Sequence, residues 1–150
     1  MSGLQINNRG IYFLSQLILF SLTSYLTYEK NIVILIVDDN LNFVDRIINL
    51  LEDISRGRNI ITASNYDEAR RLLATENPDV VLLDINLPGK NGIELLKLIR
   101  QNKKKCEVIM ITNHADDYYR QQCQELGARY FLDKSNDFGL VPDIIKGLLN

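Results

Sequence analysis

Two short runs, IVILIV at 32–37 and VVLL at 80–83, contain no polar residue. A strand with one wet face alternates apolar and polar side chains. An unbroken run of apolar, mostly β-branched residues therefore marks a strand covered on both faces. Such strands belong to parallel sheets sandwiched between helices, because each return crossing lays a helix on the sheet. That one feature removes all-helical and open antiparallel folds from consideration.

The rest of the chain from Asn31 fits this expectation. Asn40 is placed to cap a helix with Phe43, Ile47, Leu50, Leu51 and Ile54 on its inner face. Arg58 to Ala63 reads as a second strand, and Asn65 with Glu68 as a capping box ahead of Ala69, Leu72 and Leu73. Ile93, Leu96 and Ile99 mark a third helix, and Glu107 to Thr112 a fourth strand. Ala115, Tyr119, Cys123 and Leu126 share a face of a fourth helix that Gly127 ends. Arg129 to Leu132 reads as the fifth strand, and Phe138 to Leu149 as the last helix, with Pro142 near its first turn. Five strands alternating with five helices predict a doubly wound α/β domain. Its ligand crevice lies at the carboxyl ends of the strands.

Those ends carry the chemistry. Strand one runs into Asp38 and Asp39, strand three into Asp84, strand four into Thr112 and strand five into Lys134. Two carboxylates ~4 Å apart repel by ~4 kcal/mol at an effective dielectric of ~20, so a cluster of three is costly unless a cation joins it. Mg²⁺ suits carboxylates that leave room for waters and a phosphoryl group. Asp84 is the expected nucleophile, forming an acyl phosphate. Asp39 and Asp84 are expected to bind Mg²⁺ directly, with the backbone carbonyl of Asn86, while Asp38 acts through water. Lys134 and the Thr112 hydroxyl are expected on the phosphoryl oxygens. After Asp84, Pro88 stiffens a loop that Gly89 and Gly92 allow to turn tightly.

A formal charge of −2 gives no sign of a nucleic-acid partner. Cys106 and Cys123 are isolated and form no C-x-x-C pattern, which fits reduced thiols in the cytoplasm.

The segments VDD at 37–39, LLDINLPGKNGIELL at 82–96, MIT at 110–112 and GARYFLDK at 127–134 together resemble the receiver domain of bacterial two-component response regulators. The resemblance covers residues 31–150 and is closest to stand-alone, chemotaxis-regulator-like members. It implies a flavodoxin-like fold and phosphotransfer from a histidine kinase's phosphohistidine, or from a phosphotransfer protein, to Asp84. It also implies a switch through Thr112 and an aromatic of strand five. Counting back from Lys134 makes that aromatic Phe131, leaving Tyr130 to packing. Asn86 and His114 stand at positions that tune phosphate lifetime in the family. Ser135 and Asn113 depart from it, standing where many relatives have proline and a small residue. Only one helix fits after Lys134, so the expectation is a single-domain phospho-switch for a downstream protein. It is not an enzyme beyond assisting its own phosphorylation and dephosphorylation. A relay carrier and a constitutive binding module are the alternatives.

Residues 1–30 lie outside the resemblance. Gly10 to Tyr28 carries no charge, yet Ser15, Gln16, Ser21, Thr23, Ser24 and Thr27 dilute its apolar character. Three expectations follow: a helix that packs on the domain or on a second copy, a membrane contact through 10–28, or an extension from a misassigned start. The first is ranked above the others, because an apolar face must be covered and the polar face suits lipid poorly.

Overall fold

A computed structural model describes residues 8–26, 32–54, 58–102 and 105–149. Contacts divide the chain into two compact units, Met1–Lys30 and Asn31–Asn150. The first contains helix α1 (Asn8–Leu26). Ile11, Phe13, Leu14, Leu17, Ile18 and Leu22 are among its large apolar side chains that are at least half exposed. Among the described residues no helix is long and apolar enough to cross a membrane.

The second unit is built on five strands: β1 (Ile32–Val37), β2 (Arg58–Ala63), β3 (Val80–Leu83), β4 (Glu107–Thr112) and β5 (Tyr130–Asp133). All pair in parallel in the order β2-β1-β3-β4-β5. Helices α2 (Leu41–Leu51), α3 (Tyr66–Thr75), α4 (Gly92–Asn102), α5 (Asp117–Glu125) and α6 (Val141–Leu149) connect or follow them. This is a flavodoxin-like doubly wound sheet, and the described residues form six α-helices once α1 is included.

Alternation along each strand sorts the side chains into two cores. Leu35, Val37, Val81, Leu83, Val108, Met110 and Phe131 pack with α3, α4 and α5. Ile34, Ile36, Val80, Leu82, Ile109, Ile111 and Leu132 pack with Phe43, Val44, Ile47 and Leu51 of α2 and with Val141 and Ile145 of α6. The three central strands are therefore dry on both faces, as their unbroken apolar runs require.

Local signals set the boundaries. The Asn40 side chain accepts from the Phe43 N–H at 3.2 Å and starts α2. Asn65 accepts from the Glu68 N–H at 2.9 Å, but Glu68 reaches back to the Ser64 N–H at 2.8 Å, so the box closes one residue further out than expected. Helix α5 starts two residues later than Ala115 because Asp116 accepts from the Tyr119 N–H and acts as its cap. Ala115, Tyr119, Cys123 and Leu126 nevertheless face one core. Gly127, at φ +88°, closes the helix end, and β5 begins at Tyr130, one residue beyond the expected start. The last helix divides into a short 3-10 turn at Phe138–Leu140 and α6, with Pro142 second in α6. Lys105, after α4, is exposed, while Lys103 and Lys104 lie outside the described residues.

The first crossing, β1-α2-β2, runs to one side of β1, and the chain then continues to β3 on the other. The crevice at that reversal lies between the ends of β1 and β3.

Candidate functional site

Among the described residues, four polar side chains are buried: Asp38, Asp84, Thr112 and Lys134. All four stand at the carboxyl ends of strands, where the last ladder bonds fix them. The Asp38 N–H donates to the Ala63 carbonyl, Asp84 to Val37 and Lys134 to Thr112, each at 3.0 Å. Buried polar groups cost stability unless partnered, so their partners matter.

The Lys134 ammonium lies between two carboxylates, 2.5 Å from Asp38 Oδ2 and 2.8 Å from Asp84 Oδ2. Asp38 Oδ1 accepts from the Asn40 N–H at 2.9 Å, and Asp84 Oδ1 from the Asn86 N–H at 3.3 Å. Asp39 is exposed, yet it and the two buried acids each offer an oxygen within 4.8 Å of the others. Three acids thus face one cation. Burial pushes the Asp38 carboxyl above its ordinary value, and the hydrogen bond from Lys134 only partly offsets this. Burial works against the Lys134 charge as well, but hydrogen bonds to Asp38 and Asp84 outweigh it and raise its pKa. Lys134 stays charged because it has two anionic partners. Asp38, which shares that one cation with Asp84, is left under-compensated.

This arrangement fits a hard divalent cation. The three carboxylates converge and the donor atoms are oxygens. Asp38, Asp39, Asp84 and the Asn86 carbonyl are the groups that would hold Mg²⁺.

Thr112 is fully buried, and its hydroxyl oxygen accepts from the His114 N–H at 3.2 Å. His114 is exposed and pairs with Asn86, Nδ1 to Nδ2, at 2.6 Å, which joins the loops after β3 and β4. Phe131 is buried on the α5 side of the sheet, and Tyr130 is half-buried on the other. Cys123 is a buried thiol that burial raises to about 11, so it is no nucleophile at neutral pH.

The loop after Asp84 shows why two glycines follow it. Gly89 has φ +88°, a conformation that L side chains rarely adopt. Gly92 serves a different purpose from the tight turn expected of it. A Cβ there would sit 1.9 Å from the Asp84 carbonyl oxygen, so only glycine lets α4 start against the end of β3.

Two contacts escaped the sequence. The Lys134 ammonium lies over the Phe43 ring, 4.5 Å from its centroid. Arg120 lies over the Phe131 ring at 4.8 Å and donates to the Phe131 carbonyl at 3.0 Å. Phe43 read only as an inner-face helix residue. No local spacing links either to its partner.

A profile of the response regulator receiver domain family matches residues 34–146. The chain is 37% identical over 103 residues to the alkaline phosphatase synthesis transcriptional regulatory protein PhoP of Bacillus subtilis (strain 168), covering 67% of this chain and 41% of that protein. It is 35% identical over 118 residues to sporulation initiation phosphotransferase F of the same organism, covering 77% of this chain and 92% of that protein. The signal receiver domain of a DNA-binding response regulator from Colwellia psychrerythraea 34H superposes with a TM-score of 0.74 at 30% identity, covering 79% of this chain and 98% of that structure. The chain therefore spans under half of the first relative and nearly all of the second.

Proposed function

Because this chain belongs to the response regulator receiver domain family, we propose that it accepts a phosphoryl group on Asp84 and answers by changing the surface it offers a protein partner. Family members are phosphoacceptors phosphorylated on aspartate with Mg²⁺ bound. The observation that carries the reading is the buried Lys134 ammonium set between Asp38 and Asp84 at the strand ends.

The donor is the phosphohistidine of a histidine kinase or phosphotransfer protein. An Asp84 carboxylate oxygen attacks phosphorus, a P–O bond forms, the P–N bond breaks, and the departing imidazole nitrogen keeps the electron pair and takes up a proton. Asp38, Asp39, Asp84 and the Asn86 carbonyl would hold Mg²⁺, which would supply positive charge to the phosphoryl group and relieve repulsion among the acids. Lys134 turns its ammonium to the same oxygens. Asp38 and Asp39 orient the acidic pocket, and the Asn86 N–H holds one oxygen of Asp84. The Thr112 hydroxyl reorients from the His114 N–H to donate to the phosphoryl group, drawing the β4 loop inward toward the Phe131 side. Asn86 and His114, paired across the pocket mouth, control the approach of hydrolytic water. We place this work in residues 31–150, in the cytoplasm, with residues 1–30 as a separate segment.

A relay carrier is the second reading. It is supported by similarity to a phosphotransferase that this chain spans almost completely. In a carrier, the state of Thr112 and Phe131 has no bearing on function.

With Mg²⁺ and acetyl phosphate, intact mass should rise by one phosphoryl group, and the gain should vanish with EDTA or in Asp84→Asn. Undiminished labelling of Asp84→Asn would move the acceptor elsewhere.

A further inference from the structure

An ammonium group has three N–H donors, and carboxylates occupy two of the directions around Lys134. The Phe43 ring, only 5% exposed, lies on another side at 4.5 Å. Phe43 is itself held on several sides. Its N–H is fixed by the Asn40 cap. Its ring meets Phe138 edge-on at 5.7 Å and 62°, and the Arg46 guanidinium lies over Phe138 at 4.5 Å. The result is a row of ammonium, ring, ring and guanidinium running from the acceptor to the protein surface. Lys134, Phe43 and Arg46 all line one polar hollow of about 400 Å³ beside it.

We propose that Phe43 is a positioning residue for phosphoryl transfer, its ring face, braced by Phe138 and Arg46, holding the Lys134 ammonium at the acceptor. The inference rests on the reading of Lys134 as a ligand of the phosphoryl group. Its logic is one of competition. Asp38 and Asp84 are the oxygens that a divalent cation draws on, so Lys134 loses part of their hold when the acidic pocket fills. An aromatic face attracts a cation through its quadrupole and offers a hard metal no ligand atom. It is the partner that Lys134 keeps. Leucine, smaller but still apolar, would keep an apolar side chain in the core with Val44 and Ile47 without that attraction.

The experiment compares wild type with Phe43→Leu, Phe43→Tyr and Lys134→Gln in the full chain, with each fold checked by its amide spectrum. In wild type the Lys134 side-chain Hε resonances should be displaced upfield by the ring current. That displacement should persist in Phe43→Tyr and disappear in Phe43→Leu. Affinity for beryllofluoride at saturating Mg²⁺ should fall about thirtyfold in Phe43→Leu, the scale of a cation–π attraction in a desolvated site, and recover in Phe43→Tyr. Lys134 resonances at random-coil positions in wild type would overturn the inference without any variant. So would wild-type affinity in a folded Phe43→Leu alongside a large loss in Lys134→Gln. If Lys134→Gln binds as wild type does, the reading of Lys134 falls first, and the role of Phe43 falls with it.

Discussion

Single residues differ sharply in how replaceable they are, and the two glycines after Asp84 make the contrast measurable. A Cβ at Gly89 meets nothing within 4 Å and carries only the penalty of φ +88°. Gly89→Ala should therefore cost about 1–2 kcal/mol. At Gly92 the added carbon would overlap the backbone oxygen of Asp84, so α4 or the acceptor strand must move. Gly92→Ala should lower stability by roughly 3 kcal/mol or more, in the range of severe core disruptions, and should weaken phosphorylation by acetyl phosphate as well. Urea denaturation and intact-mass labelling test both. Equal stabilities for the two variants would show that the close approach carries no weight. Both residues were visible in the sequence as loop glycines, and Gly89 matches the tight turn expected of it. The close approach at Gly92 was not legible, because it depends on how a helix docks against a strand rather than on the conformation of a turn.

At the scale of elements, β4, β5 and α5 form the unit through which a phosphoryl group would be reported. Thr112 ends β4, Phe131 lies in β5, and Arg120 of α5 binds Phe131 by its carbonyl and its ring. A ligand shifts such a unit only if it favours one state of it. Thr112→Ala should still accept a phosphoryl group but should lose most of the beryllofluoride-induced change in amide exchange around Phe131 and α5. Equal changes in wild type and variant would favour the relay reading. Elements of this kind were legible where their signals are local. The apolar runs gave β1, β3 and β4, and Asn40 marked the start of α2 through its cap. The start of α5 was misjudged because Ala115 belongs to the apolar face without belonging to the helix, and the cap at Asp116 decides the boundary. Asp38 and Asp84 were legible because each directly follows an apolar run, and Thr112 because it ends one, while Asp39 and Lys134 stand one residue beyond such an end. The contacts of Lys134 with Phe43 and of Arg120 with Phe131 were hidden because they join elements far apart in the chain.

For the whole molecule, the open question concerns residues 1–30. Apolar side chains of α1 such as Ile11, Leu14, Ile18 and Leu22 are at least half exposed, and a monomer in water has no reason to keep them so. We expect a second copy to cover them. By light scattering, residues 1–150 should be larger than a monomer, whereas 31–150 should be monomeric and still accept phosphate. A monomeric full chain, or one recovered only with membranes, would rule out self-association through α1. Within residues 31–150, the two cores on opposite faces of the sheet have a consequence for how this protein can change over time. Phe43, which touches Lys134, belongs to the core beneath α2 and α6, whereas Phe131 and its neighbours belong to the core beneath α5. A substitution that acts on Lys134 through Phe43 and one that acts on Phe131 therefore fall in separate cores, on opposite faces of the sheet. Effects on groups that share no partner add. On the roles proposed above, changes at Phe43 would retime the phosphate without rewriting the message, and changes at Phe131 would rewrite the message without retiming the phosphate.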